Sequence, residues 1–211
     1  MKTNPLIVAS FIGLTLSACN STDNKPAIVV PVVAQTVRNL PADPTTGVDP
    51  TNGQPLGTTG KFTLFSFAGN KVIANSDSAT SKWDVGFNGT RIIVNGGAIR
   101  VGKGGAYVHT GTFEELTTVP PSAAFAQDQS TAALAVPVRS GAGWYNYNAA
   151  ANVTSPIPGR VLVVRTGDGK FAKIDILSYY QNAPATPDQT SQQRYYTFRY
   201  VYQPDGSTAL N

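Results

Sequence analysis

Two β-rich runs joined by a Gly-Asp-Gly turn place the strongest constraint on how this chain can fold. The runs are residues 160–165 and 170–180. A Gly-Asp-Gly turn between two such runs is a strong signal for a β-hairpin. In the second run Ala172, Ile174 and Ile176 alternate with polar residues, and a period of two indicates a strand with one buried face. The pattern therefore predicts an antiparallel hairpin whose three apolar side chains point into a core.

Two further segments extend this pattern. In the run 194–202 an aromatic residue recurs at every second position from Tyr196 to Tyr202. Near the middle of the chain, Trp83 begins an alternating run that ends at an Asn-Gly turn, another hairpin signal. With 20 glycines and 15 prolines, the chain has the composition of a many-turned β protein. We predict an all-β, antiparallel domain with Trp83, Ile174 and Ile176 buried, and a short helix at 122–134, where Ala, Ser and Gln are frequent.

The first residues have the organisation of a targeting segment. Residues 1–19 contain a positively charged Lys2 and an apolar run from Leu6 to Leu16, too short to be a stable transmembrane helix. The segment ends in Leu-Ser-Ala-Cys19, which resembles the lipobox of bacterial lipoproteins, where the cysteine is acylated. The alternative is an ordinary signal peptide with a chance cysteine. Cys19 is the only cysteine, so an internal disulfide is excluded.

Lipidation of Cys19 would attach the protein to a lipid bilayer, since two or more acyl chains give stable anchoring. By the same resemblance, Asn20 after the cysteine favours the outer membrane. Residues 20–60 are rich in proline and predict an extended tether, although the β-branched stretch 28–33 and its continuation through 36–38 could form an edge strand. The folded domain is predicted to span 61–211.

Several function classes are excluded or disfavoured by the residues available for chemistry. The net charge of +4 is spread along the chain, which disfavours nucleic acid as a partner. The single histidine, His109, excludes a multi-histidine metal site within one chain. A Gly-x-Ser-x-Gly elbow is absent, and the glycine-rich stretch 102–106 lacks the Lys-Ser/Thr of a phosphate-binding loop. We therefore expect a protein that is not an enzyme, and we assign no metal ligand.

A family resemblance is carried by short motifs in a fixed order over roughly residues 60–206. These motifs are Trp83-Asp84-Val85, Asn95-Gly96-Gly97, the runs 102–106 and 117–120, Gly143-Trp144, the runs 160–165 and 168–174, and the closing aromatic strand with Asp205-Gly206. Together with the lipobox, they resemble the haem-binding lipoproteins of the HmuY family. The resemblance implies a hand-shaped all-β fold with a cleft between two lobes, and placement at the outer membrane. It also implies capture of haem for iron acquisition and its transfer to a TonB-dependent receptor.

The sequence departs from the family at the iron ligands, which are two histidines or two methionines in well-known members. One of them lies shortly after the Gly-Trp pair, where this chain has Asn148 or Ala149; the other lies in 120–141, which has no His or Met. The remaining candidates for a haem or porphyrin site are Trp144, Tyr145, Tyr147 and His109. A tyrosinate can ligate ferric iron, and aromatic walls with a cation for the propionates suit a porphyrin. The alternative is a protein of the same fold that binds a different ligand or a protein partner.

Overall fold

The computed structural model describes residues 32–51 and 55–211. In chain order the strands are β1 (Gln35–Pro41), β2 (Gly47–Val48), β3 (Pro55–Leu56), β4 (Thr63–Ser66), β5 (Lys71–Ile73), β6 (Val85–Asn88), β7 (Arg91–Val94), β8 (Gly105–Thr110), β9 (Tyr145–Asn148), β10 (Val153–Pro156), β11 (Arg160–Arg165), β12 (Phe171–Tyr180) and β13 (Gln193–Gln203). All strand pairs are antiparallel. In the described residues the only helix is a single 3-10 turn at Asn75–Asp77. The prediction of an all-β antiparallel fold is confirmed.

Two larger sheets make up the body of the protein. One has five strands in the order β1-β13-β12-β11-β8, and the other has four in the order β5-β4-β6-β7. Two small hairpins, β9–β10 and β2–β3, complete the described strands. The Gly-Asp-Gly turn joins β11 to β12 as predicted, with Leu162 opposite Ile174. No helix in the described part of the chain is long and apolar enough to cross a bilayer.

The main core lies between the facing sides of the two sheets. Ile174 and Ile176 contribute from the five-stranded sheet, and both are buried as predicted. Phe65 and Phe87 contribute from the four-stranded sheet, and each has its ring centroid within 5.6 Å of that of Phe198 on β13. Such ring pairs add stabilisation beyond their buried area. The alternating aromatic run of β13 is thus the central contact between the sheets.

Smaller apolar clusters cover the outer faces of both sheets. On the five-stranded sheet, Phe113 and Leu116 pack over β11. Lys173 is buried in this cluster, and its ammonium donates to the carbonyls of Phe113 at 2.6 Å and Leu116 at 2.9 Å. On the four-stranded sheet, Trp83 packs with Leu134 and neighbouring aliphatic residues. The long connections between strands therefore serve as covers for the sheets.

The first described strand corrects the predicted extent of the tether. Gln35–Pro41 is an edge strand of the five-stranded sheet and pairs with β13, so residues 35–41 are part of the folded domain. The hydroxyl of Tyr200 donates to the Gln35 side chain at 2.9 Å. Pro41 is tolerated because it stands at the end of an edge strand. The predicted strand at 36–38 lies within β1, whereas 28–31 lies outside the described residues.

The predicted helix at 122–134 is wrong. Its backbone is irregular instead, with bends at 130–133, and Ala126 forms an isolated bridge with Ala106 at the start of β8. The buried Asp128 carboxylate accepts hydrogen bonds from the backbone N–H groups of Val94 at 3.1 Å and Ala135 at 2.9 Å. These tertiary bonds outweigh the weak helical preference of an Ala- and Gln-rich segment, since propensity is readily overridden by context.

The glycine-rich stretch forms a close backbone crossing. A Cβ atom at Gly96 would lie 2.0 Å from the carbonyl oxygen of Gly104, a distance at which no side chain fits. Gly104 N–H donates to the carbonyl of Asn95 at 2.7 Å, and the Asn95 amide donates to the Trp83 carbonyl at 2.8 Å. The glycines are therefore explained by the approach of two chain segments.

Candidate functional site

Trp144 is a supporting residue behind the site, with 1% of its surface exposed. Its indole N–H donates to the carbonyl of Thr90 at 3.0 Å, which ties the chain before β9 to the β6–β7 turn. Its ring centroid lies 4.9 Å from that of Tyr145 and 5.2 Å from that of Tyr196. The predicted role of Trp144 as a stacking platform is thus replaced by one in holding Tyr145, because neither face of the indole is open to a ligand.

Tyr145 and Tyr147 line a cavity of about 360 Å³ at one end of the two-sheet body, called the aromatic cavity below. Tyr145 is largely buried, and its hydroxyl donates to the Val138 carbonyl at 2.6 Å. Tyr147 stands at the mouth with 48% of its surface exposed. The volume lies at the lower end of the range for small-molecule sites, and a larger ligand would project into solvent.

The β9–β10 hairpin places Tyr147 at this mouth. At its turn the Asn148 side chain accepts hydrogen bonds from the N–H groups of Ala150 and Ala151, a typical use of asparagine in tight turns. The Tyr147 hydroxyl donates to the Asn152 side chain at 2.9 Å. Its backbone N–H donates to the Ser140 hydroxyl at 2.8 Å, which attaches the hairpin to the preceding loop.

Two cavity residues, Tyr179 and Arg194, were not predicted from the sequence. Burial raises the pKa of the Tyr179 hydroxyl well above its ordinary value, with the Arg194 charge acting against this, so the phenol is neutral at physiological pH. Arg194 has a positive φ of 70°, unusual for a non-glycine residue, and its guanidinium donates to the Asp43 carbonyl at 3.0 Å. The guanidinium is therefore oriented by the backbone near β1 and supplies the positive charge of the cavity.

The sequence carries no signal for these two residues. In β12 the pairing with β13 shifts between Ile176 and Ser178, so Leu177 forms a bulge. Before the bulge the β12 side chains that point into the core are at even residue numbers, whereas after it the odd-numbered position 179 also points into the core. Tyr179 reaches the core side because of this bulge. Arg194 follows a long loop and is placed by pairing between β12 and β13.

His109 lies on the other face of the five-stranded sheet. It stands opposite Val161 on β11, and directly paired residues share a face. Val161 belongs to the cluster with Phe113 and Leu116, whereas Tyr145 belongs to the core between the sheets. The structure therefore does not bring His109 together with the aromatic cavity.

The aromatic cavity combines phenol groups, an adjacent hydroxyl from Thr154 and one guanidinium. These groups suit a planar or apolar ligand that also carries a carboxylate, since a guanidinium matches the geometry of that anion. For a porphyrin, Arg194 would hold a propionate, and a phenolate from Tyr145 or Tyr147 would be the available iron donor. In the described residues no group of three or more His, Cys, Asp or Glu side chains forms a metal cluster.

Solved structures similar to this chain include those of three bacterial proteins. No curated protein gives a significant match to the chain. A Bacteroides fragilis protein provisionally described as a lipoprotein is 18% identical, covering 81% of this chain and 91% of its own, with a TM-score of 0.51. A Bacteroides vulgatus protein provisionally described as HmuY-like and haem-binding is 14% identical, with coverages of 81% and 91% and a TM-score of 0.49. The apo HmuY analogue of Tannerella forsythia is 16% identical, with 82% and 96% covered and a TM-score of 0.44.

At such identities structural likeness concerns the fold alone, and assignment to a family comes from the sequence. The family model described as HmuY protein matches residues 59–200, which is more than half of the chain. The matched range contains both large sheets except for β1 and the end of β13, and it contains Tyr145, Tyr147 and Arg194. This chain belongs to the HmuY family.

Proposed function

We propose that the protein is a binding lipoprotein that takes up haem or a related porphyrin in the aromatic cavity, for haem or iron acquisition. Membership of the HmuY family supports a binding function over a catalytic one. The observation that carries the proposal is the pairing of Tyr145 and Tyr147 with the Arg194 guanidinium around one cavity. Aromatic walls and a convergent cation are what a flat, dicarboxylate ring system requires.

The cavity differs from a two-histidine haem site in its donors. Its lining contains neither histidine nor methionine, and His109 is on the other side of the five-stranded sheet. Tyr147 is the more accessible donor, since its hydroxyl has one side-chain partner, Asn152, and its ring is half exposed. We expect weaker haem binding than in relatives with two strong axial ligands, because one phenolate would replace both.

The test is a titration of the purified full chain with ferric haem, followed through the Soret band. The proposal predicts a saturable shift with the high-spin ferric spectrum of a tyrosinate site. One of the two variants, Tyr147→Phe or Tyr145→Phe, should lose the Soret shift, and that variant identifies the donor. Arg194→Gln should weaken binding roughly tenfold, as expected for loss of one charged hydrogen-bonding partner. His109→Ala is the matched control and should leave the titration unchanged.

A titration with metal-free protoporphyrin distinguishes the contribution of iron ligation from that of packing against the porphyrin ring. If iron ligation contributes, ferric haem should bind more tightly than protoporphyrin, and the difference should disappear in the phenylalanine variant that removes the donor. Absence of a saturable Soret shift in the parent chain would refute the haem proposal.

The alternative is that the same cavity binds a different ligand or a protein partner. The observation that favours it is the lack of imidazole and thioether donors around Tyr145 and Tyr147. In that case Arg194 would still select a carboxylate, and haem would fail to compete for the site. A protein of this kind would retain the family fold without the function in haem uptake.

The proposal includes attachment to the outer membrane through Cys19 and delivery of the ligand to a TonB-dependent receptor. Its support is the Leu-Ser-Ala-Cys19 sequence and the polar Asn20 that follows it. These residues lie outside the described part of the chain. A lipid anchor would hold the aromatic cavity near the receptor by raising its local concentration.

A further inference from the structure

A second cavity, of about 230 Å³, lies on the outer face of the four-stranded sheet and is called the Arg100 pocket below. Its walls are the apolar side chains of Phe62, Leu64, Trp83 and Ile93. The aromatic cavity shares none of these residues. The Arg100 pocket therefore needs an explanation separate from the proposed porphyrin site.

Arg100 places a cation with unused hydrogen-bond donors beside these apolar walls. Its Nε atom is buried and has no hydrogen-bond partner among the described residues. Its only side-chain hydrogen bond there is a long one, 3.5 Å, from a terminal nitrogen to the Ile99 carbonyl. A guanidinium has five N–H donors, and a buried donor without a partner is costly. The Nε–H is too enclosed to meet an acceptor in the pocket, so an added acceptor would bind the two terminal nitrogens, whose one hydrogen bond here is the long one to Ile99.

Asp128 does not neutralise this cation well. Its nearer oxygen lies 3.8 Å from an Arg100 nitrogen, beyond hydrogen-bonding distance. Both Asp128 oxygens are already engaged by backbone N–H groups, those of Val94 and Ala135. Burial raises the pKa of Asp128, and the Arg100 charge acts against this rise. The Asp128 carboxylate thus hydrogen-bonds to the backbone and does not hydrogen-bond to Arg100.

Trp83 fixes the geometry of the pocket. Its indole N–H donates to the Ser78 carbonyl at 3.0 Å, and the Arg100 guanidinium carbon lies 5.7 Å from its ring centroid. A cation near the face of an indole is favourably placed by the charge distribution of the ring. Lys61 adds a second cation to the lining and is exposed.

We infer that the Arg100 pocket is a binding site for a small organic carboxylate with a compact aromatic or branched aliphatic group. The carboxylate would accept from the two terminal nitrogens of the Arg100 guanidinium, in the paired geometry that arginine and carboxylate adopt. The apolar group would pack against Trp83 and Ile93. The volume limits this group to about one ring, since small-molecule pockets that hold drug-sized ligands begin at about 300 Å³.

The test uses benzoate as the probe, with the purified full chain, and measures binding by calorimetry and by the NMR signal of the Trp83 indole N–H. Benzoate should give saturable binding and shift the Trp83 signal while leaving that of Trp144 in place. Benzamide has the same shape without the charge, and acetate has the charge without the ring; both should bind at least about tenfold more weakly. Equal binding of benzamide would overturn the inference.

Variants locate the site. Arg100→Gln should weaken benzoate binding at least about tenfold, whereas Lys71→Gln, an exposed lysine outside the pocket, should have no effect. Ser78→Phe is a second, independent variant, because Ser78 is an exposed lining residue whose side chain can be enlarged at the pocket mouth. Undiminished binding in folded Arg100→Gln or Ser78→Phe, or no saturable benzoate binding to the parent chain, would overturn the inference.

Discussion

The Asp84 carboxylate accepts a hydrogen bond from the backbone N–H of Gly167 at 3.1 Å, across 83 positions of sequence. Its other oxygen accepts from the N–H of Phe67 at 2.8 Å. Asp84 therefore joins the Gly-Asp-Gly turn of one sheet to the end of β4 in the other. Burial raises the pKa of Asp84 to about 6, and the nearby charge of Asp168 adds to the effect.

This raised pKa predicts a pH-dependent stability. Between about pH 4 and pH 6 the folded protein keeps a proton on Asp84 that the unfolded chain has lost. The Asp84 contribution to the free energy of unfolding should therefore fall as pH rises through this window, by roughly 2–3 kcal/mol, and level off above it. Denaturant unfolding of the parent chain and of Asp84→Asn, repeated across this pH window, measures the effect. The free energy of unfolding of the parent chain minus that of Asp84→Asn should fall by this amount as the pH rises.

The control for Asp84 is Asp188→Asn. Asp188 is exposed, and hydrogen bonds from Thr190 lower its pKa. Its contribution to the free energy of unfolding should therefore rise with increasing pH, whereas that of Asp84 falls. If Asp84→Asn keeps the full pH dependence of the parent chain, the assignment of that dependence to Asp84 is wrong.

The inward face of β12 predicts a second stability difference. Ile174 is fully buried between the sheets, whereas Leu177 in the same strand is 48% exposed at the bulge. Ile174→Ala should lower the free energy of unfolding by about 2–5 kcal/mol, through lost burial and a residual cavity. Leu177→Ala should change it by less than about 0.5 kcal/mol. Urea unfolding measures both, and similar losses would contradict the strand register.

Because Gly96 crosses so close to Gly104, we predict that the stability of the fold is very sensitive to substitution of Gly96. A Cβ at position 96 would meet backbone atoms, which cannot rotate away, so Gly96→Ala should reduce the thermal midpoint by many degrees or prevent folding. Gly47 is the matched control, because a Cβ there has no neighbour within 4 Å. Thermal unfolding followed by circular dichroism compares the two, and equal midpoints would show that the crossing is looser than described.

The proposed lipidation of Cys19 predicts a change in the cell fraction that contains the protein. Cys19→Ser removes the thiol that would carry the lipid, so the protein should leave the membrane fraction. Cell fractionation with immunoblotting measures the distribution, and Ser17→Ala serves as a control that keeps a small residue in the same segment. Retention of Cys19→Ser in the membrane at its original level, without lipid, would refute the anchor.

Local patterns were sufficient to predict much of the fold. The Gly-Asp-Gly turn, the alternation around Ile174 and the aromatic spacing of β13 each depend on neighbours within a few residues. β1 could not be delimited in this way, because its pairing partner lies at the far end of the chain. The irregular path of 122–134 likewise depends on the distant hydrogen bond from Val94 N–H to Asp128.

The residues of the candidate site could likewise be predicted only in part from local patterns in the sequence. The sequence pointed to the segment containing Tyr145 and Tyr147, and both line the cavity. It did not distinguish them from Trp144, since an aromatic in a core and one in a binding wall look alike in sequence. Arg194 and Tyr179 depend on the bulge in β12 and on strand pairing, for which no local pattern exists.

The place of β1 beside β13 has a consequence for synthesis of the chain. Gln35 and Tyr200 are hydrogen-bonded partners separated by 165 positions, so β1 emerges from the ribosome long before its neighbour. Its open backbone edge must remain unpaired during that interval, when strand edges are prone to aggregation. A premature stop codon before residue 193 would remove the strand that both β1 and β12 require. In the product β1 would have no partner and β12 would become an exposed sheet edge, so it would not be a smaller version of the domain.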